Sequence, residues 1–275
     1  MAATIVEKRR RFAEAHRAPG CFVMPNPYDV GSALYLASLG FPALATSSAG
    51  MAFAMGLPDG RVSRADALSH IAALARAVEV PLNADFEDGF AADAEGVYES
   101  VRLCVGAGVA GLSIEDYPQH GGALYSLDEA LDRLRAARAA IDASGERVLL
   151  TARSEAIWRP DAGGLSEALR RLGAFAEAGA DVLFAPGVKT AEEVAEVVRA
   201  AGKLPVNVVR GAPGLTVQQL ADLGVRRIST GGGLARAAWG GLMRAAADIA
   251  AHGRFDAFAD APSAGAIEGA FADKA

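Results

Sequence analysis

The stretch 106-GAGVAGLSIED-116 contains the end of a helix, an apolar strand and a pair of acidic residues. Gly can adopt the left-handed backbone conformation that ends a helix. The apolar run that follows is typical of a buried strand. The same order of Gly and apolar run recurs at 38-SLGFPAL-44, 177-EAGADVL-183 and 222-DLGVRRI-228. Each repeat therefore predicts one helix-to-strand step of an α/β fold.

Eight apolar runs along the chain are candidate strands. They are 21-CFVMPN-26, 43-ALATSS-48, 81-PLNADFE-87, 111-GLSIED-116, 148-VLLTARSE-155, 181-DVLFAPG-187, 205-PVNVVRG-211 and 226-RRISTGG-232. Amphipathic segments lie between them, and no long polar linker interrupts the alternation. The pattern predicts a single (β/α)8 TIM barrel over about residues 18–252. A doubly wound sheet is the alternative, because alternation alone does not prove closure.

Three of the intervening segments have clear helix signals. Apolar residues recur three and four positions apart in 64–80, 127–142 and 190–202. Ser63, Ser126 and Thr190 precede these segments as N-caps. Glu129 and Glu193 stand three residues after the second and third caps, which is the capping-box spacing.

Composition narrows the possible partners and compartment. The 275 residues are 52% hydrophobic and carry a net charge of −6, with no extended basic patch. Nucleic acid is therefore not expected as the main partner. No apolar stretch is long enough to span a membrane, and the basic segment 1–16 is predicted to be a first helix rather than a signal peptide. Cys21 and Cys104 are expected to be buried core thiols in a reducing cytoplasm.

The end of the chain differs from the repeating units. After an eighth helix near 235–251, the tail 253–275 combines small residues with an apolar piece. We expect this helical tail to cap the barrel, or to dock on or exchange with a neighbouring subunit of a homo-oligomer, a dimer or tetramer. The whole chain, 1–275, is treated as one domain.

Polar side chains accumulate where the central strands end. Alternation places Asn83, Asp85 and Glu87 on one face of the third strand. In the next two strands it places Ser113 with Glu115, and Thr151 and Arg153 with Glu155. Barrel enzymes carry their chemistry at these carboxyl ends.

The oxygen ligands of Asp85, Glu87 and Glu115 suit Mg²⁺ or Mn²⁺, whereas zinc is less expected because no His ends a strand. The competing interpretation makes these acids solvated rim residues or N-cap acceptors. Asp88 is interpreted as a turn residue before Gly89. Asp116 is as consistent with a structural hydrogen bond as with a metal ligand.

Basic and glycine-rich features add candidates for the site. An inward Arg153 needs a carboxylate, either from a neighbour or from the substrate. His120 lies in the loop after the fourth strand and is a candidate acid or base, or an ordinary exposed His. The other His residues are assigned to packing or to the surface. The segment 229-STGGGLARAA-238 is either a tight turn or an anion-binding loop.

Several motifs occur together in the order found in one known group of enzymes. They are 27-PYD-29, 46-TSSAGMAFAMGLPDG-60, 85-DFEDG-89, 114-IED-116, 152-ARSEA-156 and 204-LPVNV-208. On these motifs the chain, from about Met24 to Arg236, resembles the isocitrate lyase/phosphoenolpyruvate mutase superfamily. Glu87 replaces the Asp that the superfamily usually carries.

The resemblance implies a barrel enzyme with Mg²⁺ held partly through water by Asp85, Glu87 and Glu115. It also implies 2-oxo acid or carboxylate substrates and a tetramer with exchanged terminal helices. The residues that it places around the substrate are Tyr28, Ser47, Ser48, Ala49, Asp85, Arg153 and Asn207.

The chain departs from the superfamily where the reaction is selected. The loop 117-YPQHGGALY-125 has neither the Lys-x-Cys-Gly-His of the lyases nor the Lys and Asn of the mutases and hydrolases. Ala185 and Pro186 replace the usual polar residue of the sixth strand. Cleavage of isocitrate itself is therefore not expected.

The leading hypothesis is a Mg²⁺-dependent lyase or decarboxylase that breaks a C–C bond through a metal-stabilised enolate. Its expected substrates are oxaloacetate, 2-oxoglutarate-like or methylisocitrate-like acids. Arg153 would orient the substrate carboxylate, and Asp59 or His120 would relay protons. The alternatives are C–P bond chemistry on phosphonopyruvate and a non-catalytic 2-oxo acid binding protein.

Overall fold

A computed structural model describes residues 3–159 and 161–271. Eight parallel strands alternate with helices along the chain. The strands are β1 (Phe22–Met24), β2 (Leu44–Ala45), β3 (Leu82–Asp85), β4 (Gly111–Glu115), β5 (Leu149–Arg153), β6 (Val182–Phe184), β7 (Val206–Val209) and β8 (Arg227–Ser229). The α-helices are α1 (Ile5–Arg17), α2 (Val30–Ser38), α3 (Ser48–Ala54), α4 (Arg64–Ala77), α5 (Ala94–Gly106), α6 (Leu127–Ala143), α7 (Gly164–Glu177), α8 (Ala191–Ala200), α9 (Val217–Asp222), α10 (Gly233–His252) and α11 (Ala264–Gly269).

The sheet is ordered β1-β8-β7-β6-β5-β4-β3-β2, so the first strand pairs with the last. Phe22 lies opposite Arg227 in this pairing. The remaining gap is bridged where the Ala45 N–H donates to the Pro25 carbonyl at 3.1 Å. A doubly wound sheet has free edges and no such contact, so the predicted (β/α)8 barrel is confirmed.

The apolar face of each central strand packs outward against the helices. Leu82, Ala84, Leu112 and Ile114 are all buried in this layer. A second, smaller cluster lies inside the barrel and includes Phe12 of α1, which is fully buried. Burying an aromatic side chain of this kind contributes about 1.5–3 kcal/mol. Helix α1 therefore closes the amino-terminal end of the barrel and leaves the opposite end for the site.

The predicted helix starts are confirmed. Ser126 and Thr190 each accept a hydrogen bond from the backbone N–H three residues on. The carboxylates of Glu129 and Glu193 in turn accept from the backbone N–H of the cap residue. Ser63 accepts from the Asp66 N–H at the start of α4. The ends are less well predicted, because α4 stops at Ala77 and the chain is already extended at Val78 before the next strand.

The chain beyond the barrel follows a long tenth helix. A 3-10 helix at Asp256–Asp260 and α11 form the tail. The tail turns back on the barrel, since a Cβ placed on Gly31 would lie 3.8 Å from the Phe271 ring. Residues 272–275 of the predicted tail lie outside the described residues.

The two cysteine thiols differ in burial. Cys104 is buried as predicted, but Cys21 is only half-buried because it precedes β1 at the amino-terminal rim. Within the described residues, no helix combines the length and the apolar character needed to cross a membrane.

Candidate active site

The strands that carry the candidate acids end earlier than the sequence predicts. Strand β3 ends at Asp85 and β5 ends at Arg153. Strand alternation therefore cannot determine the side-chain directions of Glu87 and Glu155, which lie beyond these ends. Glu87 instead adopts a left-handed backbone, with φ of 46°, in the loop that follows. This conformation is uncommon for a residue with a Cβ. The loop turns the Glu87 side chain inward, where only 5% of it is exposed.

Arg153 is the cation at the centre of the site. Its Nη1 lies 3.2 Å from both the Asp85 Oδ1 and the Glu115 Oε2, and its Nε donates to the Glu155 Oε1 at 2.7 Å. Burial alone would lower the pKa of Arg153, but the carboxylates of Glu115, Glu155 and Asp85 outweigh it and raise that pKa. Arg153 is therefore a permanent positive charge that holds three acidic side chains together.

Two of the acids have strongly raised pKa values. Burial, followed by the nearby charges of Asp85 and Asp59, raises the pKa of Glu87 to about 9. Burial also raises the pKa of Glu115 well above its usual range, against the opposing effect of Arg153. The Glu87 Oε1 is buried and has no hydrogen-bond partner. A buried carboxyl oxygen without a donor is costly, so this atom lacks a partner that a bound ligand would supply.

The acidic residues are not arranged as a direct three-ligand metal cage. Over residues 3–159 and 161–271, no three His, Cys, Asp or Glu side chains are grouped closely enough to bind an ion together. Arg153 stands between Asp85 and Glu115 instead. The available ligands are nevertheless hard oxygens, and Mg²⁺ is usually held by one or two carboxylates with water and substrate. The donor set fits that mode, with the orphaned Glu87 oxygen as one of its members.

Two cavities meet at this cluster. The first, of about 680 Å³, is lined by several of the predicted substrate residues: Ser47, Ser48, Ala49, Asp85, Arg153 and Asn207. The second, of about 480 Å³, is bordered by Glu87, Glu115 and His120. Ser48, Asp59, Arg153 and Trp158 line both. The predicted substrate and metal residues therefore lie on adjoining walls of one cleft.

Loop contacts place the remaining candidates. The Ser48 N–H donates to the Asp85 Oδ2 at 3.0 Å, which fixes that carboxylate against the start of α3. Burial and the charge of Asp85 raise the pKa of Asp59. His120 is exposed, with its Nδ1 3.2 Å from the Gly60 carbonyl. Tyr28 is not among the lining residues of either cavity, and its role in substrate binding stays a prediction.

Asp88 does more than complete a turn. Its Oδ2 accepts from the Tyr125 hydroxyl at 2.9 Å and from the Gln119 N–H at 3.2 Å. Its backbone carbonyl accepts from Arg133 of α6. Asp88 is a turn residue as interpreted, since the Phe90 N–H donates to its Oδ1 at 3.0 Å, and it also ties the loop after β4 to the loop after β3.

Asp116 is a structural hydrogen-bonding residue in this fold. It accepts from the Ser154 hydroxyl and the Glu155 N–H, and it pairs with Arg171 at 3.1 Å. These partners occupy both carboxyl oxygens and hold Glu155 next to Arg153.

The glycine-rich segment after β8 forms a tight turn. The Asn26 Oδ1 accepts from the N–H groups of Thr230 and Gly231, and Gly231 has a φ of 51°. Gly231 to Gly233 line the larger cavity. The tight turn is confirmed, and anion binding by this segment stays a prediction.

Sequence reasoning missed the aromatic walls of the cleft. Trp158 lies in the loop after β5, and Phe184 ends β6. The Arg153 guanidinium carbon is 5.7 Å from the Trp158 ring and 5.4 Å from the Phe184 ring. The signal available in the sequence was the position of Trp158, five residues after Arg153 at a strand end.

The fold and the site together define a barrel enzyme whose carboxylate and arginine cluster opens on a cleft at the carboxyl ends of the strands. The profile of the phosphoenolpyruvate phosphomutase family matches residues 12–250. The chain belongs to this family, within the isocitrate lyase/phosphoenolpyruvate mutase superfamily, and is an enzyme of its lyase and mutase type.

Proteins of similar sequence match more than half of the chain. An uncharacterized protein of Mycobacterium tuberculosis is 32% identical over 80% of this chain and 81% of its own length. An oxaloacetate decarboxylase of Bradyrhizobium is 30% identical over 74% of this chain and 69% of its own. The 2-methylisocitrate lyase of Escherichia coli is 33% identical over 57% of this chain and 54% of its own.

Solved structures agree with the fold. A candidate lyase/mutase from Burkholderia cenocepacia is 42% identical, with a TM-score of 0.92 over 98% of this chain and 97% of its own. An oxaloacetate acetylhydrolase is 26% identical, with a TM-score of 0.84 over 98% of this chain and 95% of its own.

Proposed function

We propose that the protein is a Mg²⁺-dependent enzyme, with Mn²⁺ as a substitute, that cleaves a C–C bond in a small 2-oxo acid or related dicarboxylate. Lyase and decarboxylase reactions on oxaloacetate, 2-oxoglutarate-like and methylisocitrate-like acids fall in this class. The observation that carries the proposal is the buried Arg153, which contacts Asp85, Glu115 and Glu155 where the two cavities meet. The names of the lyase and decarboxylase relatives agree with it.

The protein's own groups divide into two roles. Arg153 has a planar guanidinium suited to a substrate carboxylate, and the aromatic rings of Trp158 and Phe184 lie 5.7 and 5.4 Å from its guanidinium carbon. The Ser47 hydroxyl accepts from the Gly50 N–H at 3.1 Å, so its own hydrogen can be donated to the substrate. These contacts would orient the acid across the cleft.

Asp85, Glu87 and Glu115 would hold the divalent ion, in part through water. When bound, that ion supplies a positive charge that stabilises the negative charge developing on the 2-oxo acid portion. The unpartnered Glu87 Oε1 would then have a partner.

Proton movement belongs to residues on the rim. Asp59 lines both cavities, and its raised pKa favours retention of a proton nearer to neutral pH. His120 lies on the wall of the second cavity at the place where the lyases and mutases carry their distinctive loops. We assign Asp59 the first role in proton transfer, with His120 entering if its loop closes.

The test is turnover with purified protein in the presence and absence of Mg²⁺. Release of pyruvate or glyoxylate from oxaloacetate, 2-methylmalate and methylisocitrate is measured, together with phosphate release from phosphonopyruvate. Metal-dependent release of a 2-oxo acid from one of the carbon substrates is expected. If none turns over and no 2-oxo acid binds in a metal-dependent way, the proposal is wrong. Binding without turnover would support the non-catalytic alternative, and phosphate release would support C–P chemistry.

A further inference from the structure

Arg227 of β8 is enclosed inside the barrel. Only 2% of it is exposed. Its Nε donates to the Asn207 Oδ1 at 2.8 Å, and its Nη2 donates to the Oγ1 of Thr151 on β5 at 3.0 Å. Its Nη1 lies 3.2 Å from the His16 Nε2 of α1. The guanidinium thus crosses the barrel interior and is fixed from three elements.

No negative charge balances this guanidinium. Among residues 3–159 and 161–271, no carboxylate lies within 4.0 Å of Arg227, whereas Arg153 contacts three. His16 does not supply a charge of either sign. Burial and the nearby Arg227 lower the pKa of His16 to about 3, so the ring is neutral. Its Nδ1 lies 2.7 Å from the Phe12 carbonyl and donates to it, which leaves the Nε2 as the acceptor for Arg227.

The same region has more hydrogen-bond donors than acceptors. A guanidinium has five N–H groups, and Arg227 uses three of them on Asn207, His16 and Thr151. Because the Asn207 Oδ1 accepts from Arg227, its Nδ2 faces Ser229 and donates to the Ser229 Oγ at 3.0 Å. The Ser229 hydroxyl hydrogen is therefore free to donate elsewhere.

These unused donors border open space. Arg227, Ser229 and Asn207 all line the larger cavity, as Arg153 does. A buried charge is stable when it is paired or neutralised. Burial lowers the pKa of Arg227 only to about 9, so it remains protonated at neutral pH. Water could accept the free N–H groups, but it would leave the charge uncompensated.

We propose that the β7–β8 side of the barrel interior is a binding site for one small monoanion of the halide type, held by Arg227 and the Ser229 hydroxyl. The two donors, Arg227 and Ser229, are both on β8, whereas the proposed metal ligands Asp85, Glu87 and Glu115 are on or just after β3 and β4. The site shares the larger cavity with the predicted substrate residues. Its occupant would neutralise the buried guanidinium and stabilise the barrel. A single carboxylate has the same chemistry, so formate is included as a second probe.

The first experiment compares thermal stability in increasing sodium chloride, sodium bromide and sodium formate. For the wild type we expect Tm to rise by roughly 3 °C for each tenfold increase in halide above half-saturation. Arg227→Gln should lose this increase, and Ser229→Ala, which keeps the fold with a smaller change, should shift half-saturation to higher halide.

Arg236→Gln is the matched control, since Arg236 is an exposed Arg on the wall of the same cavity. A formate effect without a halide effect would overturn the halide assignment. Identical salt dependence in all four proteins would overturn the site.

The second experiment needs only the wild-type protein. Crystals grown without halide and soaked in sodium bromide are measured at the bromine absorption edge. An anomalous peak beside the Arg227 guanidinium and the Ser229 hydroxyl is the expected result. Water alone at that position, or bromide only at surface sites, would overturn the proposal even if Arg227→Gln does not fold. Neither outcome bears on turnover, so the proposed function is tested separately.

Discussion

At the scale of single residues, the arrangement of the acidic side chains in the candidate site depends most on Arg153. A Lys there keeps the positive charge but cannot reproduce separate contacts to Asp85, Glu115 and Glu155. For Arg153→Lys we expect kcat/KM to fall at least about 30-fold, corresponding to roughly 2 kcal/mol for a disrupted buried charge pair. Steady-state kinetics on the substrate found by the turnover assay measures this. Arg170→Lys, at an exposed position on α7, is the control. Equal losses in both variants would contradict the role of Arg153.

His16 gives a residue-scale prediction for acid stability. Burial lowers the pKa of His16 from 6.5 to about 3 in the folded protein. Between these values the unfolded chain binds a proton that the folded protein does not, so this group's contribution is complete above pH 6.5 and is lost as pH falls. The loss at pH 5 is roughly 2 kcal/mol. His16→Gln should therefore show a smaller drop in Tm between pH 7 and pH 5 than the wild type.

The matched control for this measurement is His252→Gln, because His252 is exposed at the end of α10. Its pH dependence should follow the wild type. Unchanged pH dependence in His16→Gln would show that the ring is not held neutral by its surroundings.

At the scale of elements, the loop after β4 is held by Asp88 rather than by regular structure. Tyr125 donates to Asp88 from the far end of this loop, and Gln119 donates from its middle. Tyr125→Phe removes the hydroxyl and keeps the ring over Arg133, which lies 3.9 Å from its centroid. We expect faster amide hydrogen exchange over residues 117–125 with little change in the strands. Tyr98→Phe on α5 is the control. Unchanged exchange in the loop would show that the Asp88 contacts do not restrain it.

The elements also show what the sequence could predict. Strand number, helix starts and the clustering of Asp85, Glu115 and Arg153 follow from hydrophobic period, capping residues and alternation, which are local properties. The positions of Glu87 and Glu155 do not follow from alternation, because β3 and β5 end before them and the loop backbone sets their direction. The metal site stays a prediction for the same reason. Arg153 lies between two of its expected ligands, a relation that only tertiary contacts reveal.

At the scale of the whole molecule, closure and interior charge depend on long-range contacts. The pairing of β1 with β8 joins residues about two hundred positions apart. The eightfold alternation predicts this pairing only because eight strand–helix units are known to close into a barrel. The hydrogen-bond network of His16, Asn207 and Arg227 also joins residues about two hundred positions apart. These residues lie on α1, β7 and β8, so no single stretch of sequence indicates that they meet. Local sequence therefore predicted the fold better than it predicted the polar interior.

The outer surface of α10 is unusually apolar for a solvent-exposed helix. Of its 20 residues only Ala235 is buried, while Trp239, Leu242 and Met243 are exposed at helical spacing. Phe255, just before the adjoining 3-10 helix, and Phe258 within that helix extend this apolar face. Contiguous apolar surface of this kind marks an interaction site.

We expect a second copy of the chain to cover this face of α10, so light scattering after gel filtration should give a multiple of the 28.2 kDa monomer mass. The double change Leu242→Glu and Met243→Glu should reduce that mass, whereas Leu103→Glu, at an exposed site on α5, should not. A wild-type protein that elutes with monomer mass at all concentrations would contradict this expectation.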